Sequence, residues 1–264
     1  MIQAAKNHDR YMVPGLERGL RLLGAFSRAR PELSLAELAR HMRLSRSTVF
    51  RITYTLEQLG FLRRTKTGFQ VGPRVLTLGS EYLASLDLVD VAKPELTRLR
   101  DETGASAHLA VLDGVEVIYL VQAASLKRLA SSVSVGTRFP AHATSMGRLM
   151  LGGLDAAELE RRYRDVKLEG FTDDTPTTFE ALRARIAADS ARGFVVSRGG
   201  FERGIVAVTA PVFDFDRRVV AAINVSGPAS EFDDSALETT IKERVLAAAD
   251  RISTRLGART RTEP

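Results

Sequence analysis

Between Ser34 and Gly60 the chain reads SLAELARHMRLSRSTVFRITYTLEQLG, and this stretch constrains the fold more than any other. Ser34 and Glu37 stand at capping-box spacing, where each side chain satisfies an orphan amide at a helix start. Leu35, Leu38, Ala39 and Met42 then recur at helical spacing. After Arg43 and Leu44, Ser45 can cap a second helix, so the turn between the two is short. In that second helix Val49, Ile52, Leu56 and Leu59 are expected to form one buried stripe. Arg46, Ser47, Arg51 and Tyr54 are left on the opposite face. A helix offered this way, N-terminus first with guanidiniums and hydroxyls outward, suits the DNA major groove. Ser45, Arg46, Ser47, Thr48, Arg51 and Tyr54 are therefore candidate DNA contacts, with arginine able to take both acceptors of a guanine edge. A plainer reading, two amphipathic helices with a solvated basic face, fits the same pair.

The flanking residues favour the first reading. From Pro14, the residues Leu16, Leu20, Leu23 and Phe26 describe a helix whose first turn tolerates proline, which supplies the third member of a trihelical core. After Gly60, residues 61–64 and 69–71 read as a small hairpin, or wing, whose Arg63, Arg64 and Lys66 can grip phosphates beside the groove. Charge is segregated in the same way. Residues 1–80 hold 14 Lys and Arg against 5 Asp and Glu, while the remainder holds 24 against 27. A basic excess confined to the helix pair's end of the chain is the footprint of a polyanion-binding module. Residues 1–13 are polar and aperiodic, an arm whose Lys6 and Arg10 could enter a minor groove.

The rest of the chain does something else. Pro73 opens a helix with a broad apolar surface of Val75, Leu76, Leu78, Tyr82, Leu83 and Leu86, which suggests contact with a second copy or with a neighbouring domain. Residues 88–103 continue as helix, with Pro94 as a kink and Gly104 as the stop. From Ser106 the period changes to two. Ser106 to Leu112 and Val115 to Gln122 flank the hairpin signal Asp113-Gly114, and a strand is expected near Ser131 to Val135. Helices follow at Ala143 to Leu151, Asp155 to Arg164 and Thr177 to Arg192, the last opened by a Thr177 and Glu180 capping box. Strands return at 194–197, 204–213 and 218–226, and Asp233 caps a closing helix to Leu256. Hairpins with helices between them give an α+β domain. The expected boundaries are 14–72 for the winged helix-turn-helix, 73–104 for the linker and dimerisation helices, and 105–257 for the second domain.

Several classes are set aside. With no cysteine there is no disulfide, thiolate nucleophile or cysteine-ligated zinc. The four histidines, His8, His41, His108 and His142, lack metal-ligand spacing, so neither a metal nor a cofactor is expected. No signal peptide or membrane-spanning run is found, which fits a cytoplasmic protein without a membrane partner. Ala143-Thr144-Ser145-Met146-Gly147 approaches the G-x-S-x-G elbow of a serine hydrolase, which needs a strand before the serine and glycine at its first position, but here the preceding residues are Arg138-Phe139-Pro140 and an alanine. Neither GxGxxG nor a Walker A loop occurs. A dimeric DNA-binding protein without any ligand is the other alternative.

The segments GLERGLRLLGAF, LAELARHMRLSRSTVFRITYTLEQLGFL, GTRFPAHATSMGRLML and GFVVSRGGFERGIVAVTAPVFDFDRRVVAAINVSGP, in this order, resemble the IclR family of bacterial transcription regulators. The resemblance spans nearly the whole chain. It implies an N-terminal winged helix-turn-helix, a linker helix that dimerises, and a C-terminal GAF-like α+β sensor domain. It also implies a homodimer, or a tetramer built of dimers, that represses or activates transcription at a double-stranded operator and binds a small effector, often an organic or aromatic acid. Carried over residue by residue, the effector pocket takes Thr144, Ser145 and Met146 at a helix start and Asn224 and Ser226 on the last strand. Free amides at that helix start favour a carboxylate, and Ser145, Asn224 and Ser226 supply neutral hydrogen bonds. Glu202 stands where the family often carries an acid. The pocket has no cysteine, and Ser-Met replaces the small residues of the best-understood acid sensors, so effector size does not carry over.

Overall fold

The computed structural model describes residues 11–27, 29–78, 87–127 and 133–258. They fall into two compact units, Met1–Ser85 and Leu86–Pro264.

In the first unit, α1 (Pro14–Leu23) opens with its proline in the first turn, where no amide partner is lost. A short β1 (Glu32–Leu33) leads to α2 (Leu35–Met42). The capping box is formed: Glu37 N–H donates to Ser34 Oγ at 3.3 Å, and Ser34 N–H donates to Glu37 Oε2 at 2.8 Å. The helix stops at Arg43, which adopts a left-handed φ of 52°. That conformation costs a non-glycine residue about 1 kcal/mol or more, and it makes the turn tight enough for Ser45 to cap α3 (Arg46–Gln58). Val49 and Thr53 are the fully buried residues of α3, flanked by half-buried Ile52 and Leu56. The Thr53 hydroxyl tolerates burial because it donates to the Phe50 carbonyl at 3.0 Å. Leu59 departs from the expected stripe: α3 ends at Gln58, and Leu59 is 46% exposed.

The wing is three-stranded, not a simple hairpin. β2 (Leu62–Arg64) and β3 (Phe69–Val71) pair antiparallel, and β1 adds to the other edge of β3. Gly68 permits this approach, since a Cβ there would stand 2.4 Å from the Leu33 carbonyl oxygen. Leu22, Leu33, Leu38, Val49, Leu62 and Phe69 pack into one core that joins the helices to the wing. Residues 74–78 are helical. Tyr82, Leu83 and Leu86 of the expected linker surface lie outside the described residues, as do Lys6 and Arg10.

The second unit opens with α4 (Asp87–Thr103), which contains Pro94. A six-stranded antiparallel sheet follows in the order β6-β5-β4-β9-β8-β7. Its strands are β4 (Ser106–Asp113), β5 (Glu116–Ala123), β6 (Arg138–Pro140), β7 (Val195–Arg198), β8 (Ile205–Phe213) and β9 (Val219–Pro228). α5 (Ser145–Leu151), α6 (Ala156–Tyr163) and α7 (Phe179–Arg192) follow β6, and α8 (Asp234–Glu238) and α9 (Thr240–Arg255) close the unit. α4 and α9 cover one face of the sheet, and α5 lies on the other with α7 packed against it. Alternation along the strands assigns the faces. Ala110, Tyr119 and Ala222 pack with Met146 and Met150 of α5.

Three sequence expectations are corrected here. Residues 133–135 form no strand, and Ser131 and Ser132 lie outside the described residues; the edge strand is β6, reached through a turn at Gly136 with φ 84°. Pro140 is tolerated there because an edge strand need not donate on both sides. Thr178, not Thr177, caps α7, accepting from Ala181 N–H at 3.2 Å. That phase directs Leu182 and Ile186 into the core. Asp233 caps only α8, because Thr239 leaves helical geometry with φ −122° and ψ −98° before α9 begins. The Thr239 hydroxyl donates to the Ser235 carbonyl at 2.8 Å, a local bond that competes with the helix ladder.

Candidate DNA-binding surface and ligand cavity

The outer side of α3 carries Ser45, Arg46, Ser47, Arg51 and Tyr54, all exposed, with Thr48 half-buried at its start. Ser45 Oγ accepts the Thr48 amide at 3.3 Å and lies 3.0 Å from Ser47 Oγ and 2.9 Å from Thr48 Oγ1. These hydroxyls are preorganised by the cap. Arg46 and Arg51 make no ion pair among the described residues, so their forks are available to an outside acceptor. Sequence reasoning passed over Phe50. It is 46% exposed and stacks with Tyr54, which is 52% exposed, at 6.4 Å between ring centroids. The signal was their spacing of four residues, which places both rings on one helix face.

The wing residues are braced. Arg63 donates twice to Gln70 Oε1, at 3.2 and 2.9 Å, and Gln70 Nε2 donates to Glu32 Oε2 at 3.0 Å. Glu32 also accepts from the hydroxyls of Thr67 and Thr65, and these bonds hold its carboxyl below the usual carboxylate range. Arg64 is paired with Glu57 of α3, and its guanidinium lies 4.9 Å from the Phe69 ring centroid. Lys66, exposed in the wing turn, makes no ion pair among the described residues.

The second unit contains a cavity of about 280 Å³ between α5 and the sheet. Thr144, Ser145, Met146, Glu202, Asn224 and Ser226 all line it. Their side chains are differently committed. Thr144 Oγ1 accepts the Gly147 amide at 3.1 Å as the cap of α5. Ser145 Oγ lies 2.7 Å from Thr209 Oγ1. Asn224 is buried on the floor and Glu202 is exposed at the rim. Strand register builds that floor: His108 pairs with Asn224, Asn224 with Thr209, and Ser226 with Ala207, which in turn pairs with Ser197. Gly147 lets α5 approach, since a Cβ there would stand 2.2 Å from the Ala141 carbonyl oxygen.

One wall is aromatic. Tyr119, Phe139 and Phe201 line the cavity, with Tyr119 edge-on to Phe139 at 5.7 Å and Phe139 tilted on Phe201 at 4.8 Å. Burial pushes the Tyr119 phenol up to about 12, so it remains a protonated donor. Among the described residues, no Lys or Arg lines the cavity. The sequence did not reveal Tyr119, Phe139, Phe201, Ser197 or Thr209, because strand pairing over long separations brings them together.

The arrangement does not equip Ser145 as a nucleophile. Its hydroxyl partner is Thr209, whereas His108 Nδ1 faces Asn224 Oδ1 at 3.0 Å and His142 Nε2 faces the Glu169 carbonyl at 3.0 Å. Hydrolysis needs a base within hydrogen-bond reach of the serine. Among the described residues, no group of His, Cys, Asp and Glu side chains could hold a metal ion, and no helix is long and apolar enough to cross a membrane.

Two family models match the chain: the IclR helix-turn-helix domain over residues 15–66 and the bacterial transcriptional regulator IclR C-terminal domain over residues 80–254. The Pca regulon regulatory protein of Pseudomonas putida is 33% identical, covering 94% of this chain and 85% of its own length. The crystal structure of a transcriptional regulator from Rhodococcus sp. RHA1 is similar with a TM-score of 0.82 at 33% identity, covering 93% of this chain and 98% of that one. An IclR homolog from Microbacterium hydrocarbonoxydans, crystallised in complex with 4-hydroxybenzoate, is similar with a TM-score of 0.79 at 26% identity, covering 92% of this chain and 98% of that one.

Proposed function

The chain belongs to the IclR family of bacterial transcriptional regulators, DNA-binding proteins and not enzymes, and from that premise we propose that its cavity takes a small aromatic carboxylate that modulates operator binding. The observation that carries the reading is the pairing of an aromatic wall, Tyr119, Phe139 and Phe201, with neutral hydrogen-bonding groups at Asn224, Ser226 and Ser145. Such a lining buries a ring and orients a polar end. The 4-hydroxybenzoate held by a structural neighbour supports the class. Glu202, exposed at the rim, suits a ligand hydroxyl.

On the DNA side the proposed readers are Arg46, Ser47, Arg51 and Tyr54, to which Phe50 is added, with Ser45 and Thr48 ordering the helix start and Arg63, Arg64 and Lys66 meeting phosphates. The proposed divisions are residues 14–72 for the reader, 73–104 for the linker and 105–257 for the sensor. A homodimer, alone or doubled to a tetramer, would present two readers to two half-sites, and effector binding would shift the geometry between them. The test is binding of the full-length protein to DNA upstream of its own gene at two salt concentrations, with and without 4-hydroxybenzoate and benzoate. Sequence-selective binding altered by one of these compounds is the expected result. Selective binding indifferent to every aromatic acid tried, with none bound by the protein, would overturn the effector reading while leaving the DNA-binding role intact.

A further inference from the structure

The proposal that the cavity receives a carboxylate leaves open what makes its floor prefer an acid, and this inference rests on that proposal. His108 and Asn224 are register partners on adjacent strands, β4 and β9. His108 is fully buried, and its ring meets Tyr119 edge-on at 5.5 Å. Its Nδ1 faces Asn224 Oδ1 at 3.0 Å. An amide oxygen carries no hydrogen, so the proton of that bond belongs to Nδ1. Burial keeps the imidazole neutral, which leaves Nε2 bare, and His108 Nε2 is a buried nitrogen without a hydrogen-bond partner among the described residues. Carrying an unpaired buried acceptor costs free energy that an apolar side chain of similar size would avoid. What the histidine secures in return is the orientation of Asn224.

A terminal amide on a cavity floor can turn either its oxygen or its nitrogen toward a ligand. With Oδ1 engaged by His108, Asn224 has its two N–H groups to offer. The neighbouring hydroxyls of Ser145, Ser197, Ser226 and Tyr119 do not share this constraint, because a hydroxyl rotates to donate or accept. Glu202, acceptor-only when ionised, also lines the cavity and is exposed. We infer that His108 is a positioning residue that locks Asn224 as a hydrogen-bond donor, so that the cavity floor favours ligands presenting an acceptor and prefers a carboxylate, with two charged acceptor oxygens, over a carboxamide, which has one neutral acceptor.

The experiment uses the full-length protein with benzoate and benzamide as probes. In the ligand-free wild type, the ¹⁵N pattern of His108, assigned by its loss in His108→Asn among four histidines, should be that of the neutral Nδ1–H tautomer. Benzoate should bind more tightly than benzamide. His108→Leu should lower that acid-over-amide ratio severalfold, because a freed Asn224 still donates to the acid but can also turn its oxygen to the carboxamide N–H. His108→Asn, whose amide can still donate to Asn224 Oδ1, should keep most of the preference. A purely structural role for His108 would weaken both probes together and leave the ratio unchanged, overturning the inference. An Nε2–H tautomer in the wild type overturns it without recourse to any variant. Failure of both probes to bind the wild type, with the Nδ1–H tautomer present, removes the aromatic-acid reading of the cavity and takes this inference with it.

Discussion

Arg64 of the wing donates through Nε and Nη2, at 3.1 and 2.9 Å, to the two carboxylate oxygens of Glu57 in the last turn of α3. The pair lowers the Glu57 carboxyl below its usual range and ties the wing to the candidate recognition helix. Arg64 is therefore spoken for before DNA arrives. Glu57→Gln should release it toward phosphate, steepening the salt dependence of operator binding by about one contact. Thermal stability should change little, because the pair is exposed to solvent. An unchanged salt slope, measured by titration at several salt concentrations, would place Arg64 away from the DNA backbone.

Arg51, on the outer side of α3, makes no ion pair among the described residues. Arg51→Ala should weaken specific binding by about 1 to 3 kcal/mol if its fork reads a base edge. Equal weakening on operator and random duplex assigns it to phosphate instead.

Phe50 and Tyr54 are stacked and roughly half exposed, which is costly for a free surface and suited to contact with bases. Phe50→Ala should leave the unfolding midpoint nearly unchanged while reducing operator affinity. A large drop in the midpoint would show that the ring serves the fold.

His108 provides a pH signature. Its imidazole is held neutral by burial, opposed only in part by the Asn224 hydrogen bond, so that its value falls from 6.5 to about 4. Between those limits the unfolded chain takes up a proton that the folded chain refuses. Stability is complete above about pH 6.5 and lost as pH falls toward 4, by about 3 kcal/mol in total. Denaturant titrations of wild type and His108→Leu across this window should show the wild-type slope reduced in the variant.

The ion pair of Arg148 and Asp189 joins α5 to α7 at 2.7 Å, with both side chains buried. Arg148 also donates to the Ala143 carbonyl at 3.2 Å, bracing the start of α5 beside the cavity. Arg148→Ala should cost about 3 kcal/mol, because Asp189 loses its close buried partner and keeps only the longer contact to half-exposed Arg185 at 3.9 Å, whereas Arg148→Met with Asp189→Leu should recover most of the loss. Equal destabilisation in both variants would argue against the poorly paired charge as the cause.

What could be read from the chain alone was local. The caps at Ser34 and Ser45 and the turn at Asp113-Gly114 declare themselves within a few residues, because hydrogen bonds to neighbouring amides define them. The three-stranded wing was not legible, since β1 reaches β3 across α2 and α3 and only two residues long. Thr53 is not among the residues of the expected stripe, and its burial rests on a hydroxyl that donates to the Phe50 carbonyl. In the second unit, the pocket positions carried over from the family line one cavity, but the partners that give them character are distant in sequence. Asn224 lies 116 positions from His108, and Ser145 lies 64 from Thr209. A one-residue irregularity where β5 pairs with β4 between Leu109 and Ala110 brings Tyr119 opposite Ala110. No periodicity in the chain announces such a shift.

Ser197, Ala207 and Ser226 stand side by side on β7, β8 and β9, and all three line the cavity. None extends more than one heavy atom beyond Cβ, so the space above them exists because nothing larger occupies it. Enlarging any one shortens the chamber without disturbing the backbone ladder beneath, while the His108 and Asn224 row keeps its polarity. On the proposed effector reading, Ser197 and Ala207 would limit ligand length while the His108 and Asn224 row sets the chemistry of its polar end, with Ser226 serving both, so that a lineage could alter length by single substitutions while conserving that chemistry.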